Sequence, residues 1–282
     1  MSCIEAKGSN ASKTSMIPTR LWHFGATFAR SRAIRRLAVA VLLLWGAVLG
    51  TAWGRGALSE QSQMSSFSPS GEGFESYSTL LVALGRQYVR REVRLTIQDA
   101  FAERHRADSR TSFVLGETGL RDGGKLWPHA SHQRGTSVDI FLPLVDAERA
   151  PVRLSHQVWN LWGYCRYFDE AGRYAGTRWE ASARVVPVLG RVSPCPLSEV
   201  SRDDAPIRID FDEAARLVAA VERKARVHGL EVRALILAPE YLPRLLGSKG
   251  GRELGPVASK LVRRPVWIRH DEHIHIEFAF LK

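Results

Sequence analysis

Arg269-His270-Asp271-Glu272-His273-Ile274-His275-Ile276-Glu277-Phe278-Ala279-Phe280 carries three of the chain's nine histidines and a regular alternation of character. Side chains alternate across a strand. His273, His275 and Glu277 therefore share one face, and Ile274, Ile276, Phe278 and Phe280 share the other. The apolar face predicts core and the polar face predicts a cleft. By the same parity His270 and Glu272 fall on the core side, where a buried charge is costly. A bend or bulge near Asp271 is expected, turning His270 and Glu272 toward the cleft. Val266 to Phe280 thus reads as a strand pair or one bent strand.

A second stretch, Pro128-His129-Ala130-Ser131-His132-Gln133-Arg134-Gly135-Thr136-Ser137-Val138-Asp139-Ile140, holds two more histidines and an aspartate on a predicted strand from Val138 to Leu142. A lone His-x-His on a strand is common, and a His followed seven residues later by Asp is weaker still. In combination they offer a His, an Asp and a His to one zinc ion, with further imidazoles beside it. Three protein ligands leave a fourth position open, which distinguishes a hydrolytic zinc site from a structural one. Gly135 suits a tight turn between a loop ligand and a strand ligand.

Outward from these stretches, Gln87 to His105 repeats Val89, Val93, Ile97 and Phe101 every four residues and predicts a helix. Asp210 to His228 predicts a second, with Asp210 as cap, Glu213 completing the capping box and Gly229 ending it. Thr111 to Leu115 and Val232 to Ala238 read as strands. Residues 150–205 read as an insertion, with Asp169-Glu170-Ala171-Gly172 as a turn between two strands. The aromatics of that insertion, Trp159, Trp162, Tyr164 and Tyr167, suit core packing or a cleft wall. The sum is an α+β domain, a small mostly antiparallel sheet with flanking helices and a zinc site in a cleft on the sheet.

Leu37 to Trp53 is uncharged and mostly apolar, with Arg30, Arg32, Arg35 and Arg36 just before it. That length can cross a bilayer, and the arginines should stay cytoplasmic. A cleaved signal peptide is the rival reading, since Gly50-Thr51-Ala52 offers small residues for cleavage. The expected organisation is a basic cytoplasmic segment over 1–36, an anchor or signal over 37–54, a Ser/Gly-rich flexible tether over 55–77 and a folded domain over 78–282 that carries the zinc site.

The net charge is +11, of which residues 1–53 supply +6 through seven basic side chains against Glu5 alone. The remaining +5 suits an anionic partner such as cell wall or membrane surface, or simply a solvated surface. No basic stretch interleaved with aromatics marks a nucleic-acid binder. Cys165 and Cys195 lie in the part expected to be exported, where pairing and two free thiols are both open. His23, His105, His156 and His228 read as surface or structural groups.

Gly123-Gly124, Pro128-His129-Ala130-Ser131-His132-Gln133-x-Gly135, Val138-Asp139-Ile140 and His270-Asp271-x-His273-x-His275 resemble the motifs of the penicillin-insensitive murein endopeptidases. That family belongs with the lysostaphin-type enzymes and the D-alanyl-D-alanine metallopeptidases. The resemblance covers Ser78 to Phe280, with the insertion poorly matched. It implies cleavage of peptide cross-links in peptidoglycan between D-alanine and meso-diaminopimelate, which agrees with the periplasmic, inner-membrane-anchored placement expected from the arginines before Leu37. It also implies that His132, Asp139 and His275 bind zinc, that His273 is the catalytic imidazole, that His270 is a second active-site histidine, and that His129 helps hold a second ion. The family motif has Leu-Asp where this chain has Thr136-Ser137, so a carboxylate that would support the ligands or a second ion is missing.

For the base, strand parity favours His273, while Glu272, three residues before His275, matches the spacing of the catalytic Glu in D-alanyl-D-alanine dipeptidases. Alternative functions are a carboxypeptidase or dipeptidase acting on free peptides and an inactive zinc-bearing wall-binding domain.

Overall fold

The computed structural model describes residues 32–59, 63–126, 131–152, 166–177, 206–264, 266 and 270–282. The chain divides into two compact units, Met1–Ala47 and Val48–Lys282. Helix α1, Arg32–Leu58, begins in the first and ends in the second. Its Ile34–Leu58 portion is the one helix among the described residues long and apolar enough to cross a membrane, a test that a signal sequence also passes.

In chain order the second unit continues with β1 (Met64–Ser66), β2 (Ser70–Gly71), β3 (Phe74–Ser76), α2 (Thr79–Ala83), β4 (Tyr88–Arg90), α3 (Arg91–Ala107), β5 (Phe113–Leu115) and β6 (Ser137–Phe141). Then come β7 (Leu144–Val145), β8 (Pro151–Val152), β9 (Arg166–Phe168), β10 (Tyr174–Thr177), β11 (Arg208–Ile209), α4 (Phe211–Val227), β12 (Leu230–Ile236), α5 (Leu242–Gly247) and β13 (His273–Phe280).

The main sheet has six strands in the order β12-β13-β6-β5-β3-β2, antiparallel except where β3 runs parallel to β5. This is the α+β arrangement expected from the sequence. One face carries Ile274, Ile276 and Phe278 of β13 with Val138 and Ile140 of β6, all nearly or fully buried. Val93, Ile97 and Phe101 of α3 and Leu217, Val218 and Val221 of α4 belong to the same core. Burying each such side chain stabilises by roughly 1.5–3 kcal/mol, so this face is the main source of stability.

The described residues of the expected tether, 55–59 and 63–77, are packed into the folded unit. Phe67 is fully buried, Phe74 stacks on Phe101 at 5.4 Å, and β3 is an interior strand of the main sheet. The end of α1 is tied in as well, with Ala52 fully buried and Arg55 Nε donating to Ala83 O at 2.9 Å. The Ser/Gly-rich composition hid this because the strands are only two or three residues long, and β1 and β3 take partners, β4 and β5, from later in the chain. For the same reason the helix predicted from Gln87 starts at Arg91. Residues Tyr88–Arg90 pair antiparallel with Met64–Ser66.

Asp210 caps α4 as expected, its Oδ1 accepting from Asp212 N at 3.0 Å and Glu213 N at 3.1 Å. Glu213 does not close a capping box. Its carboxylate takes both Nε and Nη2 of Arg104 at 2.8 and 2.9 Å, while Asp210 N–H donates to Pro143 O. A charged fork from α3 outcompetes a local backbone donor. The predicted turn at Asp169–Gly172 is present between β9 and β10, with Gly172 at φ 76° and Asp169 Oδ1 accepting from Ala171 and Arg173 amides.

A buried candidate metal centre

Strand register makes the centre. β13 pairs antiparallel with β6 so that His275 stands opposite Asp139, His273 opposite Phe141 and Glu277 opposite Ser137. Opposed residues lie on one face, so the polar side chains of β13 meet Asp139 on the face away from the core. His275 Nδ1 lies 2.6 Å from Asp139 Oδ1. His132 reaches the same oxygen from a short 3₁₀ turn, His132–Arg134, with its Nε2 at 3.4 Å. That turn ends at Gly135, whose φ of 67° and tight packing against Met64 and Arg90 N leave no room for a side chain.

His132, Asp139 and His275 are all buried, and their ligand atoms lie within 4.8 Å of one another, a group that can hold a metal ion. Tetrahedral ligands bonded at about 2.0–2.1 Å stand about 3.3 Å apart. The 3.4 Å separation of His132 from Asp139 meets that directly, and the hydrogen bond between Asp139 and His275 would open slightly around an ion.

The electrostatics favour an ionised Asp139. Burial opposes its charge, but His132 and His273 beside it and hydrogen bonds from His132 and His275 hold the carboxyl well below its ordinary range. Burial also disfavours a charged His275, yet its bond to Asp139 and the nearby Glu277 push it up to about 9. Glu277 Oε1 is 3.6 Å from His275 Nε2, on the side of the ring away from Asp139. The hydrogen bond from His275, set against partial burial, lowers the Glu277 carboxyl.

The other predicted residues divide. The bend expected near Asp271 is present, since regular strand begins only at His273. It brings the His270 ring to 4.6 Å from that of His273 and 6.0 Å from that of His275. His273 is 1% exposed, beside the Phe141 ring. Glu272 has a backbone partner across the bend. The buried Glu272 carboxylate accepts the Arg166 amide at 2.8 Å, and Asp271 Oδ2 accepts the Phe168 amide at 3.3 Å. Both acids thereby fasten strand β9 to the bend. His129, Cys165, Cys195, His156 and the aromatics Trp159, Trp162 and Tyr164 lie outside the described residues. His105 Nδ1 contacts Thr111 O and His228 Nε2 contacts Asp99, away from the centre.

Residues around Asp139 escaped sequence reasoning. Gly116 N donates to Asp139 O at 2.8 Å and Asp139 N donates to Glu117 O at 3.2 Å. That loop is itself gripped, with Gln87 Nε2 donating to Gly116 O and Arg86 Nε to Glu117 Oε1, each at 2.6 Å. A Cβ on Gly116 would meet Asp139 Cβ at 3.0 Å, so the loop can approach the ligand only through glycine. No local signal links Arg86-Gln87 to Asp139. Phe141, two residues after Asp139 on β6, shares its face of the strand.

No protein-family model matches the chain, and no curated protein matches it either.

Proposed function

We propose that this protein is a zinc-dependent peptide hydrolase, a murein endopeptidase cleaving peptidoglycan cross-links of the D-alanine–meso-diaminopimelate type. The observation that carries the reading is the convergence of His132, Asp139 and His275, at mutual distances a small ion would span, with His273 and His270 on the neighbouring positions of one bent strand. Two neutral imidazoles and one carboxylate suit Zn²⁺, leave a net positive charge and keep coordination open for substrate. Zinc bound there would supply Lewis acidity at the scissile carbonyl and at the attacking water.

The chain's own groups do the rest. Asp139, held ionised, and the imidazoles of His132 and His275 would hold the ion. His273 takes the proton from the attacking water and passes it to the leaving amine. His270, ring to ring with His273, orients that imidazole and the amine side of the substrate. The carboxylate of Glu272 is engaged by the Arg166 amide, which supports His273 as the base. In this reading α1 anchors the protein in the inner membrane, with the arginines before Leu37 cytoplasmic and the catalytic unit in the periplasm facing peptidoglycan.

The test is digestion of purified sacculi by the detergent-solubilised full chain with zinc, followed by identification of released muropeptides. Loss of cross-linked dimers with matching gain of monomers is expected. Release of terminal D-alanine alone would assign a carboxypeptidase, and no release by zinc-loaded protein would leave a binding domain.

A further inference from the structure

A cleft of about 540 Å³ opens between the β9–β10 hairpin, the start of α4 and the end of α5, and none of the metal-binding residues lines it. That volume is in the range of small-molecule sites. Five cationic side chains line it, drawn from separate parts of the chain: Arg149, Arg173, Arg208, Arg244 and Lys249. Two of them are neutralised. Arg149 lies 3.4 Å from Asp212 and 4.0 Å from Asp210, and Arg173 lies 2.8 Å from Asp169. The two lining acids are further occupied, Asp210 by the α4 cap and Asp212 by Gly250 N at 3.2 Å.

Three cations are left over. Among the described residues Arg208, Arg244 and Lys249 form no ion pair, and Arg244 only donates through Nε to Glu170 O at 3.3 Å. Gathering uncompensated like charges around one concavity disfavours the folded state and focuses a positive potential there. Arg149 is also the one non-glycine residue with positive φ among those described, at 62°, so its position beside the helix start is held at some conformational cost.

We propose that this cleft is a binding site for a multiply charged oxyanion, separate from the metal centre. Guanidinium and ammonium groups approaching from several directions suit a ligand with several charged oxygens, whereas one carboxylate would be satisfied by a single guanidinium fork. Phosphates and clustered carboxylates share that chemistry.

The probes are pyrophosphate and tricarballylate, titrated calorimetrically into the metal-stripped full chain at low ionic strength. Saturable binding of at least one is expected, weakening as salt rises. Arg208→Gln and Arg244→Gln should each weaken it by about tenfold or more, the worth of one charge-assisted hydrogen bond. Arg110→Gln, an exposed charge paired with Asp108 elsewhere, should leave it unchanged. The tighter probe assigns phosphate or carboxylate. Absence of saturable binding, or equal loss in all three variants, would overturn the site. Because His275→Ala should bind the anion as the parent does, the result stands apart from any outcome on hydrolysis.

Discussion

His275 and Asp139 stand directly opposite one another in the β13–β6 ladder, 136 residues apart in the chain, with Nδ1 and Oδ1 2.6 Å apart. One hydrogen-bonded register therefore brings two ligand groups together, and the turn at Gly135 adds the third. A one-residue slip of β13 would put His275 on the core side and Ile276 in the centre.

His275→Ala should abolish stoichiometric metal binding, as should Asp139→Ala. Elemental analysis of the purified chain would show about one equivalent in the parent and little in either variant. Full occupancy in His275→Ala would sink the ligand assignment.

His273→Ala should keep its metal and lose hydrolysis by about 10²–10⁴, the usual worth of a general base. Glu272→Gln should behave differently, because its carboxylate serves the Arg166 amide. A destabilisation of about 1–3 kcal/mol with metal retained is expected from weakening a buried acceptor. Kinetics at equal metal content, beside urea melts, separate the two. Inactivity confined to Glu272→Gln would move the base to that residue.

Proton competition sets a pH dependence. In the metal-free protein His275 is raised from 6.5 to about 9. The stability this contributes is complete below pH 6.5 and disappears as pH rises to about 9. Asp139 is depressed, so its contribution is present above its ordinary 3.8 and lost as pH falls through its lowered value. Metal must displace the His275 proton, so affinity should rise with pH up to about 9, by about tenfold per pH unit for one proton released. Melts of the metal-stripped chain at pH 6 and pH 9.5, with competitive metal titrations between, check both signs. A flat affinity over that range would contradict the pair.

Gln87→Ala should weaken metal binding without touching a ligand, because it releases Gly116 O and loosens the loop that brackets Asp139. Gly116→Ala should do so more severely, since its methyl meets Asp139. The Co²⁺ absorption spectrum reports the altered ligand field directly. An unchanged spectrum and affinity in both would remove the bracing role.

Phe67→Ala should destabilise the domain by about 3–5 kcal/mol, as for other fully buried aromatics. A chain beginning at Ser78 should fail to fold, lacking β1, β2 and β3 and leaving β5 at the edge of the main sheet. Circular dichroism and thermal melts decide it, and a cooperative native-like melt of that truncation would restore the tether.

Periodicity alone made much of this protein legible. The alternation from His273 to Phe280 assigned one face to core and one to the site, the four-residue repeat marked α3, and the Asp210 cap and Gly229 stop marked α4, each within a few residues of its ends. These patterns are local, because a strand or helix face is written in consecutive residues. The expected bend at Asp271 followed from the cost of burying a charge, and it carried His270 to the site.

Tertiary structure decided what depends on distant partners. It turned the Ser/Gly-rich stretch after α1 into sheet, because Phe67 and Phe74 are buried against strands and helices that lie later in the chain. It moved Glu213 from its own helix cap to Arg104, and gave Glu272 to the Arg166 amide. It placed Arg86 and Gln87 behind Asp139 and gathered five cations around one cleft. A buried polar group takes whichever donor or acceptor packing brings within reach, and that choice has no period in the sequence.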